Sequence, residues 1–393
     1  MSSMPLSPAE TELGVLRQDL MDWLLNAALP LWWNVGADHA GGGFHEAIDL
    51  DGRPVLGERR ARVQARQVFS YAVGGALGWT GPWREAVAHG LDYFIGRYRR
   101  ADGLFWNTLN AGGAPIETPP HLYEQAFALL ALATASSSLP EPDRDLESLA
   151  ETLRGRLASE RRGLAGGFTG FVDNSVYQSD PHMHLLEAAL AWEQVSGAEH
   201  WRRLADETAE LCLARFMTQR GGILLEYFDA TWTPAAGLAG RLVWPGHQFE
   251  WAGLLERWGL ARGREDARFV ARRLYGVGAG HGIDPNRGVA VFELLDDLTV
   301  HDPKARLWSQ TEWLKASIIL ARSEDDGQRR EGYVAGAVAA AKALRLYLDT
   351  PAPGLWRDKL LGDGRWVLEP APASSFYHII DALRVMAHGT APR

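Results

Sequence analysis

The chain has 393 residues, of which 46% are hydrophobic and 23% are charged, and it carries a net charge of −9 with a pI near 5.8. This composition is ordinary for a globular protein with a large core. The acidic balance argues against a surface for nucleic acid or for an anionic membrane, because both require a basic footprint. Sixteen tryptophans slightly favour a pocket in which rings stack on sugars, although core packing remains the commoner role of any one of them.

The cysteine content and the first residues of the chain indicate in which cellular compartment the protein is expected. The single cysteine, Cys212, excludes an internal disulfide and a thiolate zinc site. No cationic segment followed by an apolar run opens the chain, and no apolar stretch approaches the roughly 20 residues that span a bilayer. We therefore expect a cytoplasmic protein that binds neither membranes nor nucleic acid. The sequence leaves the oligomeric state open, a homo-oligomer included.

Helical periodicity dominates the chain and predicts about twelve amphipathic helices, which come in pairs. Short links such as Gly197-Ala198 and Gly263-Arg264 make the two helices of a pair antiparallel neighbours. In chain order, the predicted helices cover residues 11–29, 59–78, 83–100, 121–137, 143–160, 182–197, 199–218, 246–262, 264–278, 308–323, 328–348 and 374–388.

Longer loops rich in glycine and aromatic residues separate the pairs, and these loops resemble one another. Their glycine turns begin at residues 41, 103, 166, 221 and 354. Repeated helix pairs form either an open solenoid or a closed ring. Six pairs is the number that closes an (α/α)6 barrel, so we expect an all-α fold in which residues 1–393 form a single (α/α)6-barrel domain.

A histidine followed three residues later by a carboxylate recurs at the starts of these helices. The pairs are His121/Glu124, His184/Glu187, His247/Glu250 and His378/Asp381, and Ser309/Glu312 fills the skipped place. Two successive spacings are 63 residues and the last is 131, close to two further periods. Residues i and i+3 share a helix face, and inner helices of a toroid begin where the long loops meet. We therefore expect the pairs to surround one pocket, close to helix N-termini that favour anions.

The sequence supports some of these histidines as site residues more strongly than others. A lone histidine such as His247 is more often a hydrogen-bonding residue at a helix start, but its recurrence favours a site. His184 is preferred over His182, because Glu187 lies one turn beyond it on the same face. His121 is weaker, since its surroundings also suit a packed helix entrance.

Arg62 occupies the corresponding place in the first repeat, where an arginine binds sugar hydroxyls, stabilises an enediolate or simply forms a salt bridge. Asp381 either orients the ring of His378 or caps the helix. Di-iron bundles use Glu-x-x-His, the reverse of the order found here. The sequence contains neither His-Glu-x-x-His nor a phosphate-binding or dinucleotide-binding glycine loop. We therefore expect no metal and no cofactor.

These motifs resemble the N-acylglucosamine 2-epimerase family, which includes cellobiose 2-epimerases, mannose isomerases and sulfoquinovose isomerases. The resemblance covers nearly the whole chain and implies an (α/α)6 barrel, in agreement with the helix count. The residues that carry it lie at 62–67, 183–188, 245–251, 308–312 and 377–378.

The resemblance also implies roles for individual residues. His247 and His378 would be the acid/base pair beside C1 and C2 of a sugar, with Glu250 tuning His247. His184 would assist ring opening. The substrate-binding residues would be Arg62, Glu187, Trp308, Glu312 and His121.

Imidazole suits proton transfer next to a carbonyl, because its pKa lies near neutrality. One base that moves the C2 proton to C1 through an enediol isomerises an aldose to a ketose. Two bases on opposite faces epimerise C2 instead, and the sequence does not distinguish the two arrangements.

A more detailed resemblance at residues 43–47, 59–67 and 310–316 favours the mannose isomerase branch of the family. Ser309 stands where disaccharide epimerases usually carry a second tryptophan. We therefore predict interconversion of D-mannose and D-fructose, with D-lyxose and D-xylulose as a related pair. A 2-epimerase for mannose/glucose, cellobiose or N-acylglucosamine is the alternative. A glycoside hydrolase, which needs two carboxylates across a bond, and a sugar-binding protein are remoter ones. Sulfoquinovose would need extra cations, for which Arg241 is a candidate.

Overall fold

A computed structural model describes residues 7–116, 118–139, 145–170, 177–218 and 222–390. The α-helices are α1 (Pro8–Trp23), α2 (Leu29–Leu31), α3 (Ala61–Ala76), α4 (Trp83–Tyr98), α5 (Leu122–Ser138), α6 (Leu146–Glu160), α7 (Ser179–Ser196), α8 (Glu199–Leu211), α9 (Pro245–Arg262), α10 (Glu265–His281), α11 (Leu307–Ser323), α12 (Gly327–Leu348) and α13 (Ser374–Ala387). No helix in these ranges is long and apolar enough to cross a membrane.

The first helical segment is longer than the sequence predicts. Ser7 and Glu10 form a capping box, in which the Ser7 hydroxyl accepts from the Glu10 N–H and the Glu10 carboxylate accepts from the Ser7 N–H. Two π-helical stretches, Leu24–Ala28 and Trp32–Gly36, extend α1 and α2 into one continuous helix.

Six helices form a closed inner ring. Each of α3, α5, α7, α9, α11 and α13 packs against the next, and α13 packs against α3. The helices α4, α6, α8, α10 and α12 lie outside, each against the inner helix that precedes it, while α1 lies against α12 and α13. The predicted all-α (α/α)6 barrel is confirmed. Its sixth helix pair joins the first and last helices of the described chain, α1 and α13, which pack against each other.

Short strands connect neighbouring repeats at one end of this ring. They are β1 (Ala47–Ile48), β2 (Arg59–Arg60), β3 (Thr108–Leu109), β4 (Tyr177–Gln178), β5 (Tyr227–Phe228), β6 (Leu242–Val243), β7 (Ile283–Asp284), β8 (Val289–Ala290), β9 (Glu293–Leu295), β10 (Val300–Asp302), β11 (Ala305–Arg306), β12 (Lys359–Leu360) and β13 (Ala371–Pro372). The antiparallel pairs β2–β3, β4–β5, β6–β9 and β11–β12 join the strand before an inner helix to the following loop. The pair β1–β13 joins the first loop to the last inner helix and so closes the ring.

Loop carbonyls also cap the inner helices. The N–H of Ala61, the first residue of α3, donates to the carbonyl of Asn107 at 2.8 Å. The N–H of Leu307, the first residue of α11, donates in the same way to Asp358 at 2.9 Å. The first N–H groups of a helix have no partner inside it, so each loop satisfies a group that the neighbouring helix cannot.

A glutamine at the fourth position of four inner helices binds the loop that precedes the helix. The side-chain oxygen of Gln125 accepts from the N–H of Phe105 at 2.8 Å, and its NH₂ group donates to the Phe105 carbonyl at 2.9 Å. The same paired contacts join Gln64 to Phe44, Gln248 to Leu224 and Gln310 to Ala290. We call these four side chains the loop-binding glutamines. They fix each loop against the start of an inner helix.

In α7 the fourth position is His182, whose Nε2 accepts from the N–H of Phe168 at 3.0 Å. This contact gives His182 a structural role. Glycine precedes the bound residue in two of these loops, at Gly43 and Gly167, and both have positive φ. A Cβ at Gly43 would lie 2.6 Å from the Gln64 side-chain oxygen, so the contact itself requires glycine.

We predict that Gln125→Ala destabilises the protein by about 2–4 kcal/mol, because it removes two buried hydrogen bonds and leaves two backbone groups unpaired. Gln18→Ala is the matched control, since Gln18 makes a single exposed hydrogen bond to Asp22. Urea unfolding measures both variants. Equal, small changes in the two would show that these contacts do not hold the loops.

Candidate active site

A cavity of about 330 Å³ opens at the end of the ring where the inner helices begin. Its lining combines imidazoles, carboxylates, guanidinium groups and indoles. The lining residues are Arg60, Arg62, Arg66, His121, Tyr123, Glu124, Gly170, Gln178, Asp180, Pro181, His184, Trp244, His247, Glu250, Phe292, Arg306, Trp308, Ser374, Ser375 and His378.

Most of the residues predicted from the sequence meet in this cavity. Its walls include His121, His184, His247, His378, Glu250, Arg62 and Trp308. Glu187 and Glu312 lie in the layer beneath it, where they hydrogen-bond to His184 and His378.

The regular spacing of the histidines suggested equivalent positions in their helices. The structure places them at different positions. His121 immediately precedes α5, whereas His247 is the third residue of α9 and His378 the fifth of α13. Loops of different length offset the helix starts, so equal spacing in sequence does not mean equal position. The histidines converge because all of them lie within the first two turns, or just before the start, of an inner helix.

His247 is buried and bonds to a carboxylate that the sequence analysis missed. Its Nδ1 lies 2.7 Å from Oε2 of Glu226. The hydroxyl of Ser179 and the N–H of Trp244 donate to the Glu226 carboxylate, at 3.2 and 3.3 Å. Burial lowers the pKa of His247, but Glu226 outweighs this effect and raises it to about 9. His247 is therefore protonated at neutral pH.

Glu250 does raise the pKa of His247, as predicted, but Glu226 and Asp180 raise it more. No hydrogen bond joins the side chains of Glu250 and His247 in the described structure, and Oε1 of Glu250 lies 3.8 Å from Nδ1 of His184. Although residues i and i+3 share a face, Nδ1 of His247 points back to the preceding loop. A signal for Glu226 was present in the sequence, because it lies two residues after the loop residue Leu224, at the place that Asn107 holds relative to Phe105.

His378 shows the same departure from the helical pairing. Its Nδ1 lies 2.8 Å from Oε1 of Glu312 on α11. Asp381, for which the sequence left open either orienting this ring or capping the helix, pairs with Lys315 at 2.8 Å and with Arg384 at 2.6 Å. Burial, with the nearby cations Arg66 and Lys315, lowers the pKa of His378 well below its ordinary value. His378 is therefore neutral where His247 is charged.

His184 lies between two carboxylates. Its Nε2 is 3.4 Å from Asp180 and its Nδ1 is 3.5 Å from Glu187, which also accepts from the hydroxyl of Tyr377 at 2.5 Å. Burial lowers the pKa of His184, but Tyr123 and the two carboxylates raise it well above its ordinary value. The predicted His184/Glu187 pair thus exists, and Asp180 is an additional residue that the sequence analysis missed.

Two arginines line the opposite wall. Arg62 pairs with Glu124 at 2.7 Å, so the salt bridge considered from the sequence is present inside the cavity. Arg66 donates to the hydroxyl of Tyr123 at 2.7 Å and to the carbonyl of Ser374 at 3.1 Å, and its guanidinium stacks on Phe127. Arg66 was not predicted. It places a positive charge beside His378.

Two further residues define the edges of the site. The backbone N–H of His121 donates to the Asn107 side chain at 2.8 Å, which orients the entrance to α5. Arg241 lies outside the cavity, where it pairs with Asp296 and Asp297. It therefore adds no charge to the site.

Among the residues that the structure describes, two groups of side chains bring possible metal-ligand atoms within 4.8 Å of one another, namely His184/Glu187/Glu250 and Glu250/Glu312/His378. Protein groups already bind several of these atoms. Nδ1 of His378 contacts Glu312, and Lys315 neutralises that carboxylate at 2.8 Å. The absence of a required metal stays a prediction.

We predict that Glu226→Gln lowers the pKa of His247 from about 9, because it removes the negative charge that favours the imidazolium. Titration of the imidazole Cε1–H resonance by NMR measures this change. Glu250→Gln is the control and should shift the pKa less. A larger shift in the Glu250 variant would restore the assignment made from the sequence.

Comparisons with known proteins agree with this fold and show the family of the chain. The sequence model described as N-acylglucosamine 2-epimerase matches residues 42–382. A relative named mannose-6-phosphate isomerase, from Rhizobium meliloti (strain 1021), is 47% identical over 368 residues, which are 93% of this chain and 95% of the relative. A relative named D-mannose isomerase, from Pseudomonas cannabina pv. alisalensis, is 25% identical over 309 residues, which are 73% of this chain and 74% of the relative.

Solved structures share the fold at low sequence identity. A D-mannose isomerase has a TM-score of 0.84 at 20% identity, covering 98% of this chain and 100% of its own. Cellobiose 2-epimerase from Bacillus thermoamylovorans B4167 has a TM-score of 0.83 at 14% identity, covering 95% and 100%. The family match and the 47% identical relative carry the assignment. The chain belongs to the N-acylglucosamine 2-epimerase family and is a sugar isomerase or epimerase.

Proposed function

We propose that this protein interconverts D-mannose and D-fructose by moving a proton between C2 and C1 of the open-chain sugar. The observation that carries the proposal is the opposite protonation state of two imidazoles on one cavity. The pKa of His247 is raised to about 9, whereas that of His378 is lowered well below its ordinary value. At neutral pH one histidine is therefore an acid and the other a base.

The hydrogen bonds leave the reactive atoms of both rings available. Nδ1 of His247 and of His378 each faces a carboxylate, so Nε2 is the atom left for substrate. Nε2 of His378 takes the proton from C2 while His247 donates its Nε2 proton to O1, which gives the enediol. His378 then delivers its proton to C1, and His247 recovers a proton from the O2 hydroxyl. Both residues return to their starting states.

Other residues bind and open the sugar. The indole of Trp308 lies 5.1 Å from the ring of His247 and 6.0 Å from that of His378, so it offers a stacking surface between the acid and the base. His184, whose pKa is raised, is charged at neutral pH and supplies a proton donor for the ring oxygen during ring opening. Arg62 and Glu124 present polar groups to the sugar hydroxyls.

The relatives favour isomerisation over 2-epimerisation, because both curated relatives are named isomerases. A two-base epimerase also needs one neutral base and one protonated acid, placed on opposite faces of C2, so the charge states fit both reactions. His247 remains an imidazolium up to a pH of about 9, which leaves His378 as the neutral member of the pair.

Mannose 6-phosphate is a second candidate, because the 47% identical relative is named for it. Arginines line the cavity, as a phosphate would require. However, Arg60 already pairs with Glu46 at 2.6 Å and Arg306 with Asp358 at 2.8 Å. A phosphate would have to compete with these carboxylates, so the pairing favours a neutral sugar. D-lyxose, which resembles D-mannose without C6, is the expected smaller substrate.

We predict that the EDTA-treated protein converts D-mannose in deuterated water to D-fructose as the main product. Proton NMR measures the conversion. A parallel reaction with mannose 6-phosphate compares the two candidates by kcat/KM, which should be higher for the free sugar. Accumulation of D-glucose with deuterium at C2 would contradict isomerisation. Loss of activity with EDTA, restored by a metal, would contradict metal independence.

In the same assay, His378→Asn should lower kcat about 100-fold or more, because a positioned general base contributes about 10²–10⁴ to the rate. His281→Asn is the control, since His281 lies on the exposed end of α10. It should retain the original rate.

The pH profile of kcat follows from the two pKa shifts. The base His378 must be neutral, so activity rises with pH through a pKa well below the ordinary histidine value. The acid His247 must be protonated, so activity falls above about pH 9. We expect a broad plateau between these limits, measured at saturating D-mannose. A falling limb near neutral pH would show that His247 is not the acid.

A further inference from the structure

We propose that Lys315, beneath the cavity, is a positioning residue that fixes the tautomer of His378 by keeping Glu312 ionised. The proposal deepens the proposed function, on which it rests for the role of His378 as the base. The tautomer itself can be observed without any sugar.

Lys315 and His378 lie on opposite sides of one carboxylate. Nζ of Lys315 is 2.8 Å from Oε2 of Glu312, and Oε1 of Glu312 is 2.8 Å from Nδ1 of His378. The Glu312 side chain is fully buried, and Lys315 is 8% exposed. Water is therefore a poor substitute for either contact.

The protonation state of Glu312 decides where His378 carries its proton. An ionised carboxylate can only accept, so it requires Nδ1–H and leaves a lone pair on Nε2, towards the cavity. A protonated carboxyl would donate to Nδ1 and move the imidazole proton to Nε2. His378 could not then remove a proton from C2 through Nε2.

Glu312 needs a cation in order to stay ionised. Burial and the neighbouring Glu250 raise the pKa of its carboxyl well above its ordinary value, and Lys315 is the group that acts against this rise. Among the described residues, Lys315 is the lysine or arginine within ion-pair distance of Glu312. Asp381 keeps a partner of its own in Arg384, at 2.6 Å. Removing the ammonium thus affects Glu312 most directly.

The groups that face Lys315 keep it charged. On its own helix it meets Glu312, and from α13 it meets Asp381, 2.8 Å from Nζ, and the ring of Tyr377, 6.0 Å away. Burial lowers the pKa of Lys315, but Asp381 and Glu312 outweigh it and raise the pKa well above its ordinary value.

More distant charges complete this layer. Glu250 on α9 and Glu187 on α7 also favour the ammonium. The same small cavity contains Arg257 of α9 and Arg384 of α13. The net result is a cation that persists across the pH range in which the proposed reaction runs.

The first test is the ¹⁵N NMR spectrum of the ¹⁵N-histidine-labelled protein, with His378 assigned through His378→Asn. We expect a pyrrole-type Nδ1 and a pyridine-type Nε2 for His378 in the original protein. In Lys315→Met the proton should move to Nε2, whereas Lys315→Arg, which keeps the charge, should retain the original tautomer.

Kinetics with D-mannose provide the second readout. Lys315→Met should lower kcat about 100-fold, as expected for loss of a general base, with KM changed less than about twofold. Lys315→Arg should recover most of the rate. Lys342→Met is the matched control, because it breaks a surface ion pair with Glu12 on the outer helices, and it should match the original protein.

A wild-type spectrum with the proton on Nε2 would overturn the proposal, as would an unchanged tautomer in Lys315→Met. If Lys315→Met does not fold, Lys315→Gln, which also removes the charge but keeps a polar group, takes its place, and an unchanged tautomer in that variant would overturn the proposal. If the original protein is inactive on every sugar, the proposed function is wrong. The ¹⁵N spectrum would still test whether Lys315 fixes the tautomer of His378.

Discussion

The hydrogen bonds between each long loop and the start of an inner helix are the constraint on which this structure depends. Helix starts leave backbone N–H groups without partners, and here loop carbonyls such as that of Asn107 satisfy them. The loop-binding glutamines hold the same loops from the helix side. Because the first loop reaches the last inner helix through β1–β13, the same kind of contact that orders each repeat also closes the ring.

The loops that close the ring also supply its chemistry. Glu226 lies two residues beyond a loop residue held by Gln248, and it contacts His247 directly. Fixing the loop therefore fixes the charge on that histidine. His378 has a carboxylate partner as well, but Arg66 and Lys315 lie near it and burial dominates. Two identical side chains differ in protonation state, one charged and one neutral, because their surroundings differ.

The layer beneath the cavity is unusually polar for the centre of a helical ring. Glu312, Lys315, Asp381 and Glu187 are all at least nine-tenths buried. The attraction within a buried ion pair offsets the free-energy cost of its desolvation poorly, and a protein with apolar residues of similar size in its place is often as stable. Such a layer is better explained by the protonation states that it imposes on the histidines above it than by stability.

The sequence by itself determined the helices, their number, the closed ring and the set of histidines that meet in one cavity, because these follow from local periodicity and repetition. Only the tertiary structure decided the partners. The hydrogen-bond partner of His247 is Glu226 and not Glu250, and that of His378 is Glu312 and not Asp381. The structure also decided that α1 completes the ring beside α13. The physical reason is that helical spacing tells which side chains share a face, whereas the direction of an imidazole Nδ1 is set by residues on other elements, distant in the chain.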